Sequence, residues 1–170
     1  MYLRFTATSG PRRNASRTFS LRSMSGEATP EPIQQRDGRR GRYDVVSFLF
    51  KNHSLSAEYT PEVSGRIGLV SFMTIAEVER WAIQSRWGVQ RIHWLRLHLA
   101  RFTVVPSSPD LCKKWAAVTV AAQSAGRRIE CADAWIAATG LLYGVPLVTH
   151  NRSDYNGVPG LQVISHVEGD

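Results

Sequence analysis

The chain has 170 residues, 43% of them hydrophobic, with five Trp and a formal net charge of +7. That length buries one sizeable core but hardly two. No stretch approaches the roughly 18 to 20 apolar residues of a membrane span, Met1 to Ser20 lacks a continuous apolar signal core, and Cys112 and Cys131 match no metal-ligand spacing, so the expectation is a reduced cytoplasmic protein rather than a membrane, disulfide-scaffold or zinc protein.

Residues 1 to 40 carry eight Arg against three acids, a net of +5, which leaves +2 for the remainder. Thr, Ser, Gly, Arg and Pro dominate residues 6 to 42, with Pro30, Pro32 and Gly38 as breakers and no sustained period. A disordered basic segment over residues 1–42 is expected, followed by one folded domain over residues 43–170. Charge concentrated in such an arm is weak evidence that the domain itself binds nucleic acid.

From Tyr43 onward, apolar runs alternate between strand and helix length, the pattern of an α/β fold on a parallel sheet. Val45 to Lys51 reads as a short helix following Asp44, and Gly68 to Met73 as a buried strand. A helix from near Thr74 presents Val78, Trp81 and Ala82, and a second, Val89 to Phe102, presents Ile92, Leu95 and Leu99; together they suggest a helical hairpin. Phe102 to Val105 reads as a strand, and Pro109 to Ala125 as a helix with Leu111, Trp115, Val118 and Ala122 inward and Gly126 as its stop. Asp133 opens an apolar helix, Ala134 to Tyr143, which Gly144 and Pro146 end before the strand Pro146 to Thr149 and the polar turn His150 to Asp154.

A helix of about ten residues rises roughly 15 Å, and a returning strand of four or five covers a similar length, so Asp133 and Asn151 should meet at one edge of the sheet. In open parallel sheets that edge, outside the strands' carboxyl ends, is where ligands bind. Asp44 and Glu77 stand at comparable junctions. Three carboxylates with Asn151 would suit a hard divalent cation. Each acid also has an ordinary role: Thr74 and Glu77 fit a capping box, and Asp44 and Asp133 fit plain N-caps. Their joint placement favours the pocket, because crowded carboxylates repel unless a metal neutralises them.

The segment DAWIAATGLLYGVPLVTHNRSDYNGVPGL, Asp133 to Leu161, resembles the C-terminal block of VapC-type PIN domains. DVVSFLFK at Asp44 to Lys51, SFMTIAEVERWA at Ser71 to Ala82 and the Trp115 helix extend the resemblance over nearly all of residues 43 to 165. It implies a three-layer α/β/α sandwich with a central parallel sheet, and a Mg²⁺- or Mn²⁺-dependent endoribonuclease toxin acting on tRNA, rRNA or mRNA. A VapB-like antitoxin and a second copy of the chain are the implied partners. Carried over by position, Glu77 and Asp133 match the family's second and third acids, Asn151 the place of a fourth acid or Asn, and Thr149 the polar residue beside it.

The first strand departs from the pattern. The family's apolar first strand ends in an Asp-Thr-Asp or Asp-Thr-Asn run, whereas here the run is Arg42-Tyr43-Asp44, so Arg42 stands where the leading metal ligand belongs. Asp44, two positions later, remains the candidate third ligand. Gln35 to Gly41 cannot form a buried central strand. Either the first 42 residues come from a wrong start or shifted frame, the explanation favoured by the sequence, or a tail segment such as Tyr2 to Ala7 fills the strand position.

Two other functions compete. A PIN domain lacking its first acid would act only by binding antitoxin or RNA, with the helices around Trp81, Trp87 and Trp94 as a surface. A dehalogenase-type phosphatase or phosphoacceptor needs an Asp at the end of the first strand and a pocket Lys, but Lys51, Lys113 and Lys114 are the only lysines and none ends a strand. Neither a Ser-His-Asp order nor a nucleotide-binding glycine loop is present. His150 and Arg152, beside the pocket, are candidates for touching RNA phosphate.

Overall fold

The computed structural model describes the strand Tyr2–Arg4 and residues 56–166. Arg42, Asp44, the expected helix Val45 to Lys51 and most of the basic segment lie outside the described residues. In chain order the elements are β1 (Tyr2–Arg4), α1 (Ser56–Val63), β2 (Gly68–Ser71), α2 (Phe72–Gln84), α3 (Val89–Leu99), β3 (Phe102–Val105), α4 (Pro109–Ser124), α5 (Cys131–Tyr143), β4 (Leu147–Val148), a 3₁₀ turn (Arg152–Tyr155) and β5 (Val163–Ile164).

The five strands form one sheet in the order β3-β2-β1-β4-β5. β2 pairs parallel with β3, and β4 parallel with β5. β1 lies between the two pairs and runs antiparallel to both, with Leu3 opposite Leu69 on one side and Leu147 on the other. Being antiparallel to both neighbours, it leaves β2 and β4 parallel to each other, so the carboxyl ends of β2 to β5 share one edge. Tyr2, paired with Val148, is the end of β1 nearest that edge. The central position is thus filled from the tail, and the sheet is parallel except at its middle.

Alternation along the strands divides the core. Leu69, Val105 and Leu147 join Leu111, Val118, Ala134, Ile136 and Ala137 of α4 and α5 in one cluster. Val70 and Val148 join Tyr59 of α1, Val78 and Ala82 of α2, and Leu95 and Leu99 of α3 in the other. Helices therefore cover both faces, which makes the three layers. Full burial of side chains such as Leu111, Ile136 and Leu147 stabilises the fold by about 1.5–3 kcal/mol each.

Local chemistry sets the ends of the elements. Ser108 Oγ accepts from the Leu111 amide at 3.2 Å, and Pro109 opens α4 without wasting a donor. Gly144 ends α5 at φ +61°, a left-handed conformation that glycine adopts without a Cβ penalty. α2 starts two residues earlier than its periodicity suggests, because Ser71 Oγ accepts from the Met73 amide at 3.2 Å and caps the helix. The Thr74–Glu77 capping box, the ordinary alternative for Glu77, is therefore absent: Ser71 does the capping, Thr74 is fully buried and Glu77 sits in the second turn. Among the described residues no helix is long and apolar enough to cross a membrane. Cys112 and Cys131 are free and exposed.

Candidate active site

α5 begins at Cys131, with Glu130 at its N-cap position, so Asp133 lies inside the first turn and is not the N-cap. The residue is buried, only 5% exposed. The partner that holds it comes from the 3₁₀ turn: Tyr155 Oη donates to Asp133 Oδ1 at 3.2 Å. Burial, the Asp133 charge and this hydrogen bond, then the charges of Asp154 and Glu77, push the Tyr155 phenol well above its ordinary pKa of 10.0. Three carboxylates from three separate elements thus bear on one buried hydroxyl.

The position after β4 is built by short-range bonds. Thr149 is buried, and its Oγ1 accepts from the Asn151 amide at 3.1 Å, which turns the chain out of the strand. Asn151 is exposed; its Nδ2 donates to Asp154 Oδ2 and its Oδ1 accepts from Ser153 Oγ at 3.2 Å. The link from Asn151 to Asp133 therefore runs through Asp154 and Tyr155. His150 is engaged elsewhere, its Nδ1 3.1 Å from the hydroxyl of Tyr59 in α1. That hydroxyl also accepts from the His166 amide at 3.3 Å, so one buried side chain ties α1 to the segments following β4 and β5. Arg152 is exposed, with a long 3.4 Å bond to the Val163 carbonyl.

Of the residues singled out by sequence, Glu77, Asp133, Thr149 and Asn151 fall at the same edge, and Asp44 lies outside the described residues. Neither Asp154 nor Tyr155 was singled out from the sequence as a site candidate, yet they contact Asn151 and Asp133 respectively. The one signal for Tyr155 is that it is an aromatic residue within the otherwise polar run from His150 to Asn156, the kind of residue that tends to be buried.

Residues 45–158 match the PIN domain family. This chain belongs to the PIN-domain family. A "Ribonuclease VapC1" of Haemophilus influenzae strain R2866 is 28% identical over 121 residues, covering 70% of this PIN protein and 90% of the relative. Among solved structures, VapBC-1 of nontypeable Haemophilus influenzae aligns at a TM-score of 0.61 with 26% identity, over 72% of this chain and 92% of that one. VapBC2 of Rickettsia felis, solved bound to a DNA fragment from its promoter, aligns at a TM-score of 0.63 with 18% identity, over 71% and 92%, a likeness of fold.

PIN-domain nucleases generally use divalent metals, and the hard oxygens of Asp133 and Glu77 are of the right chemistry for Mg²⁺ or Mn²⁺. Among the described residues, however, no group of three or more His, Cys, Asp or Glu is close enough to hold a metal ion.

Proposed function

We propose that this PIN domain is a VapC-type endoribonuclease toxin that hydrolyses phosphodiester bonds of tRNA, rRNA or mRNA and is neutralised by a VapB-like antitoxin. The observation that carries the reading is Asp133: a carboxylate buried at the active edge, oriented by Tyr155 and accompanied by the charges of Glu77 and Asp154. Similarity to VapC1 ribonucleases over most of their length supports it. Mg²⁺ or Mn²⁺ would be held by Asp133 and Glu77, with Asp44 as the third ligand. When bound, the metal supplies an activated water and screens charge on the scissile phosphate. Tyr155 fixes the carboxylate of Asp133, Thr149 shapes the turn that presents Asn151, and Asn151 with Asp154 positions water or phosphate. A homodimer in the cytoplasm is part of the same reading.

A specific observation favours a second reading, an impaired nuclease that still binds antitoxin or RNA. The central strand β1 runs antiparallel, so no carboxylate is delivered to the active edge from its carboxyl end. Arg42, where the first ligand belongs, adds to this.

The test is metal-dependent cleavage of a tRNA and rRNA pool by the purified chain, beside Asp133→Ala and a version in which an apolar first strand ending in Asp-Thr-Asp replaces residues 35–44, with the mass in solution measured by light scattering. Cleavage by the unmodified chain and its loss in Asp133→Ala is the expected result. Antitoxin capture without cleavage, with cleavage regained only when the first strand and its acidic end are restored, would establish the impaired form instead.

A further inference from the structure

A pocket of carboxylates repels the polyanion it has to cut, so a nuclease edge needs cations close by but outside the acid cluster. The loop joining α4 to α5 supplies them. A shallow cavity of about 260 Å³ and an adjoining open depression share one wall made of Gly126, Arg127, Arg128 and Ile129. The cavity is closed on its other side by Ser153, Asp154 and Gly157 of the 3₁₀ turn and the residues just after it. Tyr155 of that same turn donates to Asp133, so the turn that lines the cavity is also the one that holds the proposed catalytic carboxylate.

The arginines are placed by the fold. Gly126 takes φ +68° to end α4, and the Arg127 amide then donates to the Ala122 carbonyl at 2.9 Å, fixing the loop's first turn. The stem of Arg127 lies tightly against Gly157: a Cβ at position 157 would stand 2.8 Å from Arg127 Cβ. Among the described residues neither Arg127 nor Arg128 forms an ion pair, and Asp154, the acid in the cavity wall, is hydrogen-bonded by Asn151. Two guanidinium groups, each with five donors in a planar fork, are left for a ligand with anionic oxygens.

We propose that Arg127 and Arg128 form a phosphate subsite that holds the backbone of single-stranded RNA beside the bond to be cut. The proposal rests on the nuclease reading for its ligand. It differs from it in its residues and its readout: the arginines position substrate and take no part in bond cleavage.

Binding is measured with a labelled, unstructured RNA oligonucleotide in EDTA, by anisotropy over a salt series, with duplex DNA of the same sequence in parallel. Replacing both residues (Arg127→Ala with Arg128→Ala) is expected to weaken RNA binding about tenfold near 0.1 M salt. It should also flatten the slope of log K against log salt by about 1.4, roughly 0.7 for each lost contact to a single strand. Arg127→Lys with Arg128→Lys, which keeps the charge, should retain most of the slope. Arg96→Ala with Arg101→Ala, exposed residues of α3 and of the turn before the amino end of β3, should bind as the unmodified chain does.

The subsite is overturned if the double Ala variant keeps affinity and slope, if the Arg96 and Arg101 pair matters equally, if the unmodified chain fails to bind RNA, or if duplex DNA is the ligand preferred and lost. A chain that binds RNA in this pattern yet cuts nothing upholds the subsite and removes the nuclease reading. A chain that cuts RNA, with KM and binding untouched in the double Ala variant, does the reverse.

Discussion

Tyr155 Oη donates to Asp133 Oδ1 at 3.2 Å, joining the 3₁₀ turn after β4 to the first turn of α5 through two buried side chains. Tyr155→Phe removes that donor while keeping the ring. RNA cleavage is expected to fall about tenfold, the usual scale for losing a group that orients a ligand or catalytic side chain. The raised pKa of Tyr155 has its own consequence. Unfolded, the phenol ionises near pH 10, while in the fold it stays neutral, so its contribution is complete below pH 10 and is lost as pH rises further. Urea midpoints at about pH 8 and about pH 11 should therefore converge in Tyr155→Phe relative to the unmodified chain.

Leu3 is paired on both sides, with Leu69 and with Leu147. Leu3→Pro removes a donor from the middle of a sheet and should cost about 3 kcal/mol or more. Hydrogen exchange is the direct measurement: amides of β2 and β4 should lose protection in Leu3→Pro and keep it in Leu3→Val. Unchanged protection in the Pro variant would mean that β1 does not hold the centre.

His98 in α3 packs near Phe102 and is pulled down to a pKa of about 4, first by burial and then by the charge of Arg101. Its folded value lies below the unfolded 6.5, so the unfolded chain binds the proton more readily. The associated stability is complete above pH 6.5 and is lost between about 6.5 and 4, on the order of 3 kcal/mol. Thermal unfolding of His98→Leu should show a shallower acid limb over that window.

Gly157 faces the Cβ of Arg127 at a distance no real Cβ tolerates. Gly157→Ala should force a shift costing about 1–3 kcal/mol. Part of that cost should return in an Arg127→Gly background, since the clash is between the two Cβ atoms. A double-mutant cycle read by urea midpoints measures the coupling.

The helical half of the fold is plain in the sequence because its signals are redundant. In α4, Ser108 and Pro109 mark the start, Leu111, Val118 and Ala122 keep the period, and Gly126 marks the stop, and all are found in those roles. α1 carries Pro61 in its interior and a weak apolar face, and β5 is a two-residue strand; neither has length enough for a pattern. β1 is harder still, because three residues, Tyr-Leu-Arg, have no readable period and their place is set by partners far along the chain. At the site, acids at helix starts were visible as residue types. The Tyr155–Asp133 bond was not, since it depends on the 3₁₀ turn folding back across the sheet edge. Cap chemistry misled at Thr74, because Ser71 supplies an equally good cap three residues earlier.

The antiparallel middle strand also joins parts of the chain that are far apart in sequence. Tyr2 finds Val148 only after most of the chain has been made, and Leu3 must bridge segments near positions 69 and 147 at once. Closing such loops costs entropy before any contact rewards it. Without β1, the facing sides of β2 and β4 would each present unpaired amides and carbonyls, the kind of strand edge on which a foreign strand can pair.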